Sequence, residues 1–350
     1  MCMVTFDWED NDAKEKVKEF LKKGLLSWAV VEVTDACNLN CIWCYASSGY
    51  GSRAKRNHMS KSGLERVVRT LAKAGVRQIT YSGGEPTIYP HIRHAVRIAK
   101  ESGMVVHMNT NGFVLTKRFA QELKKLGLSQ IQTNIDSMSP EKHDRIRGRK
   151  GSFTAAVNAL KAAREVGLTC ASQTVLTKEN EGEILDIFRF ARSMGVQRCR
   201  LWDMMPPDQK GISDDLMPTD YIGTLRDLAG FAEETGAFHI ESGEPLFPLD
   251  YKTSMRVSNV SCVAAMGVLI NISCRGDVYF CVTDRKPMFN IFRDLKGKEL
   301  QEFYSRKLKV RLDSSGIPDK CSECSMFEKC RGGCHTRRQL ASNSDYWCRM

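Results

Sequence analysis

Between residues 60 and 203 one pattern recurs: an amphipathic helical stretch, a glycine, then a short apolar strand. The first helix, over 62–74, places Leu64, Val67, Val68 and Leu71 at i, i+3, i+4 and i+7, the stripe a helix buries against a sheet. It ends at Gly75, before the strand Gln78–Tyr81. The pattern returns at Gly103 before Val105–Met108, Gly127 before Gln130–Thr133, Gly167 before Thr169–Leu176, and Gly195 before Gln197–Trp202. A glycine just past a helix suits the left-handed C′ position, where a Cβ is penalised. Asn180 with Glu183 resembles a capping box for the helix bearing Ile184, Ile187, Phe188 and Ala191. With the apolar run Trp28–Val33 ahead of the series, the count is six strands. Helices alternating with strands imply a parallel sheet with right-handed crossovers. The periodicity fits an open partial barrel or a doubly wound sheet, and in either case function belongs at the C-terminal ends of the strands.

Those ends carry the chemistry. After strand one come Cys37, Cys41 and Cys44, spaced x3 and x2, with Tyr45 directly behind. Three thiolates so close suit a sulfur-rich metal centre, zinc or iron–sulfur, and three protein ligands leave one position for something else. Ser82-Gly83-Gly84-Glu85-Pro86 follows strand two; alone it reads as a turn. Asn109–Gly112 follows strand three, Asn134-Ile135-Asp136-Ser137 ends strand four, and Asp203 ends strand six.

The fourteen cysteines are not scattered. Cys170 and Cys199 fall in apolar strand patterns and read as small core residues. Seven others form an ordered set in the tail: Cys262, then Cys281 five residues after Gly276, then Cys321, Cys324, Cys330 and Cys334, and last Cys348. The piece from Gly267 to Cys281 alternates around Arg275-Gly276-Asp277 as a β-hairpin would. Taken alone, the four at 321–334 also fit a zinc site.

Taken together, the Cys37/Cys41/Cys44 spacing, the Gly-Gly-Glu after strand two and the seven-cysteine tail resemble the radical S-adenosylmethionine (SAM) enzymes with a C-terminal SPASM extension. The resemblance implies a partial (β/α)6 TIM-like barrel over 28–240, a SPASM domain of β-hairpin plus short helices over 241–350, and a helical lead-in over 1–27. It implies a [4Fe–4S] cluster on Cys37, Cys41 and Cys44 whose fourth iron is chelated by SAM. Tyr45 then lies near the adenine, Gly83 and Gly84 approach SAM, and Glu85 orients its amino group. Asn134 and Asp136 face its ribose and methionine parts, and Arg147, in Asp144-Arg-Ile-Arg-Gly148, its carboxylate. Two auxiliary iron–sulfur clusters follow, one on Cys321, Cys324, Cys330 and Cys348, the other on Cys262, Cys281 and Cys334.

The implied chemistry is reductive cleavage of SAM to a 5′-deoxyadenosyl radical that abstracts hydrogen from a substrate. A peptide or protein to be oxidised or cross-linked is the leading expectation, with a small-molecule pathway such as tetrapyrrole modification as alternative. A non-catalytic metal scaffold is a third reading. An electron donor such as flavodoxin or ferredoxin is expected as partner. Two departures stand out. No cysteine lies between Cys199 and Cys262, so the Cys262 cluster is short of one cysteine ligand relative to part of the family. Val282 stands where sulfatase-maturing relatives carry an aspartate, which disfavours formylglycine formation. Asp284, Asp203 and Tyr279 remain as proton-handling candidates. With 27 residues before strand one, a winged-helix leader-binding domain is not expected.

The formal charge of +11 would ordinarily suggest an acidic partner or substrate, but basic stretches are more often solvated faces than binding sites. Ten thiolates on three 2+ clusters contribute about −4, leaving roughly +7. Arg145, Arg147, Arg149 and Lys150 make one basic lip, and Arg306, Lys307, Lys309 and Arg311 another. No aromatics interleave with these charges, so nucleic acid is not expected. No apolar run approaches the roughly 18 residues of a membrane helix, and the acidic N-terminus has no signal-peptide core, so a cytoplasmic protein is expected.

Overall fold

The computed structural model describes residues 25–46, 48, 57–205, 216–235, 239–242, 257–258, 262, 264–313, 319–321, 323–324 and 333–340. Most of the expected lead-in, residues 206–215, most of the stretch around the expected 240/241 boundary, and Cys330 and Cys348 lie outside these residues.

All six expected strands form: β1 Trp28–Thr34, β2 Gln78–Gly83, β3 Val105–Asn109, β4 Leu128–Asn134, β5 Thr169–Leu176 and β6 Arg198–Asp203. Each pairs in parallel with the next. Two further parallel strands continue the edge, β7 His239–Ser242 and β8 Val257–Ser258. At the other edge β9 Leu269–Ile272 runs parallel to β1, and β10 Asp277–Tyr279 and β11 Pro287–Asn290 follow antiparallel. The expected hairpin is therefore β9–β10, and it extends the main sheet. The strand order is β11-β10-β9-β1-β2-β3-β4-β5-β6-β7-β8, an open sheet whose end strands do not meet.

Six helices pack between the strands: α1 Lys61–Lys73, α2 Ile92–Glu101, α3 Lys117–Lys125, α4 Pro140–Arg147, α5 Ser152–Glu165 and α6 Ile184–Ser193. After them come α7 Tyr221–Thr235, α8 Leu300–Asp313 and α9 His335–Leu340. The α1 stripe of Leu64, Val67, Val68 and Leu71 is fully buried, and it meets Ala29, Val31, Val33 and Ile79 from the sheet in one apolar core. Gly75, Gly103, Gly127, Gly167 and Gly195 all adopt positive φ, between 75° and 111°. These are the left-handed stops the sequence pattern requires.

The capping box at Asn180 does not form. A 3-10 turn over Glu181–Glu183 precedes α6, and Asn180 turns inward to donate to Asp136 O and Val175 O, both at 2.9 Å. Glu183 instead accepts from Ser137 Oγ at 2.6 Å and Met138 N at 2.8 Å. Buried backbone oxygens just past β4 and near the end of β5 thus outcompete the helix terminus for the amide.

Register divides the sheet into two faces. The face opposite the helices carries the rows Val30–Thr80–His107–Gln130 and Asn134–Gln173–Arg200. Polar side chains on this face bond one another across the strands. Arg200 Nη1 donates to Gln132 Oε1 at 2.6 Å, Gln132 Nε2 to Gln173 Oε1 at 2.8 Å, and Trp28 Nε1 to Thr80 Oγ1 at 2.9 Å. Near the tail, Arg285 makes a two-pronged pair with Glu32 of β1 at 2.7 and 3.1 Å. Arg337 of α9 pairs with Asp203 at the end of β6. The strand-alternating pattern is thus an apolar outside and a polar inside, which is a site wall and not a second core. Among the described residues no helix is long and apolar enough to cross a membrane.

Candidate functional site

The loop after β1 lies on backbone supplied from far along the chain. Asn40 N donates to Arg147 O at 3.1 Å and Ile42 N to Ile146 O at 3.0 Å. Arg149 Nη1 donates to Asn38 O at 2.8 Å while its guanidinium lies 3.7 Å from the Phe113 ring centroid. From the end of β3, Asn111 Nδ2 reaches Asn38 Oδ1 at 2.7 Å and lies 3.9 Å from Cys37 Sγ. Neither Asn111 nor Arg149 was among the site residues picked from sequence. The position of Asn111 just past a strand was a signal, but nothing local marked which side chain there turns toward the thiols.

Gly83 and Gly84 are demanded by this loop. Gly83 has φ +130°, and a Cβ on it would stand 2.2 Å from Thr34 O. A Cβ on Gly84 would stand 2.0 Å from Ala36 O. Gly84 N donates to Thr34 O and Glu85 N to Ala36 O, both at 2.8 Å. Glu85 is buried, and its carboxylate accepts from Thr87 N at 2.9 Å, Thr87 Oγ1 at 2.5 Å, Thr110 Oγ1 at 2.7 Å and Asn111 N at 2.7 Å. Burial pushes its pKa up despite these bonds.

One cavity gathers Cys37, Cys41, Cys44, Tyr45, Gly83, Gly84, Glu85, Asn134 and Arg147, residues from three strand ends and α4. Asp136 does not line it. That carboxylate is completely buried behind Arg147, bonded to the guanidinium at 3.3 Å and accepting from Val175 N at 3.1 Å. Its place is to hold Arg147, which lies 4.8 Å from the Trp43 ring. The same wall brings in Gln173 and Trp202. Trp43 Nε1 and Trp202 Nε1 are buried donors with no hydrogen-bond partner among the described residues.

Burial, reinforced by the Glu85 charge, pushes the Cys37 thiol up to about 11, and burial pushes Cys41 up to about 12; Arg147 opposes both. Three such thiolates side by side need cationic compensation, which metal ions supply along with the driving force for deprotonation. Among the described residues no three such side chains converge tightly enough to chelate one ion. The donor set, three thiols around a shared cavity, suits a polynuclear iron–sulfur cluster.

A second set of thiols lies in the tail. Cys262 senses the charge of Cys281, and Cys334 that of Cys262. Cys321 and Cys324 share a tight turn, Cys324 N donating to Cys321 O at 3.3 Å. The proton-handling candidates are otherwise engaged. Asp284 pairs with Arg311, Asp203 with Arg337, and Tyr279 lies under Arg285 at 4.5 Å.

Residues 31–191 match the family model described as Radical SAM superfamily. That segment is a radical SAM domain. The likeness to known proteins runs beyond the matched segment. An AdoMet-dependent heme synthase of Methanosarcina barkeri is 27% identical over 92% of this chain and 93% of its own length. A mycofactocin maturase, MftC, of Mycolicibacterium smegmatis is 28% identical over 91% of this chain and 81% of its own. Among solved structures, Streptococcus suis SuiB bound to its precursor peptide SuiA superposes with a TM-score of 0.74 at 19% identity, covering 100% of this chain and 84% of that one. That likeness carries the fold.

One residue behind this cavity gives the fold a pH dependence. His143 of α4 is buried, and Asp136 N donates to its Nδ1 at 3.1 Å, so the ring proton sits on Nε2. Burial first, then the Arg147 charge, lowers its pKa from 6.5 to about 3, with Asp144 opposing. Below about 6.5 the unfolded chain takes up a proton that the folded chain refuses, so folding stability is expected to fall with pH. The slope is about 1.4 kcal/mol per pH unit from this group, ending near pH 3. Urea unfolding at several pH values checks it, and His143→Gln should flatten the slope.

Proposed function

We propose that this enzyme holds a [4Fe–4S] cluster on Cys37, Cys41 and Cys44, binds SAM beside it, and oxidatively modifies or cross-links a peptide or protein. The observation that carries the reading is the single cavity joining those thiols to Gly83, Gly84, Glu85, Asn134 and Arg147. SAM on a reduced cluster supplies the 5′-deoxyadenosyl radical chemistry. The chain's own residues orient and shield. Glu85, fixed by its hydrogen bonds, is the acceptor for the SAM amino group; Arg147, fixed by Asp136, is the donor for its carboxylate. Asn134 and Tyr45 flank the nucleoside. The polar inner wall of Gln132, Gln173 and Arg200 faces the substrate. In this reading residues 28–240 are the catalytic barrel and 241–350 the SPASM domain. Its auxiliary clusters sit on Cys262, Cys281 and Cys334, and on Cys321, Cys324, Cys330 and Cys348. The described cysteines, free of disulfides, support a cytoplasmic protein. Likeness to MftC and to peptide-bound SuiB supports the peptide substrate.

A second reading, a tetrapyrrole as substrate, is favoured by the heme synthase relative. Arg200, buried on the inner wall, suits a substrate carboxylate. Anaerobic reconstitution tests both. About twelve irons per chain and 5′-deoxyadenosine with methionine on dithionite reduction are expected. A mass change in a candidate peptide then supports the first reading, and loss of propionate carboxyls from an iron porphyrin the second. Four-coordinate zinc with no SAM cleavage rejects both.

A further inference from the structure

Two short stretches of the tail share one spelling. Cys281-Val282-Thr283 and Cys334-His335-Thr336 each place a threonine two residues after a cysteine. The stretches meet in space. The rings of Phe280, just before Cys281, and His335, just after Cys334, lie 4.6 Å apart between centroids. Two residues beyond each cysteine, the Thr283 and Thr336 hydroxyl oxygens lie 3.5 Å apart. Thr283 Oγ1 also lies 3.3 Å from Cys281 Sγ. Sulfur, hydroxyl and hydroxyl thus form one row.

The row is buried and anchored. Thr283 is 7% exposed and Thr336 4%, so neither hydroxyl is satisfied by bulk water. Asp284 N donates to Cys281 O at 3.1 Å and closes the turn that carries Thr283. Arg285 holds that turn to Glu32 of β1, and Arg311 holds it through Asp284. Thr336 lies in the first turn of α9, which Arg337 ties to Asp203 of β6.

Proton counting gives the row a direction. Each hydroxyl has one proton to donate and two lone pairs to accept with. Thr283 can spend its proton on Thr336 Oγ1 or on Cys281 Sγ. A thiolate that holds iron has no proton of its own, and its charge makes it the stronger acceptor. Thr283 then donates to the sulfur, and Thr336 is left to donate to Thr283. A hydrogen bond to a ligand sulfur favours the more negative, reduced cluster and raises its reduction potential.

We propose that Thr283 is a positioning residue that acts through Cys281: its hydroxyl, backed by Thr336, donates to the sulfur and raises the reduction potential of the cluster held there. This rests on the reading above that Cys262, Cys281 and Cys334 hold an auxiliary cluster.

The test is a redox titration of the anaerobically reconstituted full-length enzyme, followed by electron paramagnetic resonance alongside iron analysis. In Thr283→Val one cluster couple should move to lower potential while the other two stay. At the wild-type midpoint its ratio of reduced to oxidised cluster should fall about tenfold, which is about 59 mV for one electron. Thr283→Ser keeps the hydroxyl and should restore the wild-type couple. The proposal is overturned if no couple moves in the valine variant, or if serine moves it as far as valine does. Should Thr283→Val lose iron, Thr336→Val is titrated in its place and should move the same couple downward; an unmoved couple there overturns the proposal. Retention of all iron by Cys281→Ala would instead sink the parent reading, a result the hydroxyl variants cannot produce.

Discussion

Replacing any one of Cys37, Cys41 and Cys44 with alanine is expected to abolish 5′-deoxyadenosine formation and to remove about four irons per chain. The loss should exceed the roughly 10–100-fold typical of deleting an outer-shell partner, because a direct ligand disappears. The three thiols line one cavity, and two of them are pushed to about 11 and 12 by burial. A cluster missing one corner would leave the remaining thiols as buried, neutral groups with no electrostatic reason to stay ionised. Iron content and the low-temperature electron paramagnetic resonance of the reduced protein check this separately from turnover. Variants at Cys170 or Cys199, which are buried in the strand core, should keep full iron and cost only packing energy. Retention of SAM cleavage by a Cys41→Ala protein would remove the basis for the assignment.

The second large effect is expected at glycines that carry no metal ligand themselves. A methyl on Gly84 would stand 2.0 Å from Ala36 O, and one on Gly148 would stand 2.1 Å from Asn40 O with φ at +65°. Both neighbours are backbone of the loop that carries the cysteines, so no side chain can swing aside. Overpacking of this kind costs about 1–3 kcal/mol or more, and a left-handed alanine adds about 1–2 kcal/mol at Gly148. Gly84→Ala and Gly148→Ala should each lower stability by about 2–5 kcal/mol and displace the Cys37–Cys44 loop, so that iron is lost along with the fold margin. Gly75→Ala is the contrast. A Cβ there meets nothing within 4 Å, so it should show the left-handed penalty alone and keep its iron. Thermal unfolding with iron analysis on all three distinguishes a local clash at the site from general strain.

Much of the architecture was legible because its causes are local. Helix stripes at 3.6-residue spacing, a stop glycine after each, and apolar runs of strand length needed no knowledge of neighbours, and all six strands follow from them. Motif positions after those strands were legible for the same reason. The misreadings are equally specific. Asn180 and Glu183 carry the residue types of a capping box, yet Asn180 is drawn to Asp136 O and Val175 O. Those oxygens come from β4 and the end of β5, and the end of β4 is invisible in the local pattern. Asp136 sits at a strand end as an exposed site residue would, but Arg147 covers it completely.

The order of elements, their parallel pairing and the gathering of chemistry at one edge of the sheet were determined by the sequence alone, because period, glycine placement and motif spacing act over a few residues. Tertiary structure alone decided what holds the cysteine loop in shape: Arg149 bonds a carbonyl 111 positions earlier in the chain, and the space a Cβ would occupy on Gly84 and Gly148 is filled by that loop's backbone. It also decided that the tail hairpin joins the edge of β1. Such contacts depend on which surfaces close packing brings together, and no repeat along the chain encodes them.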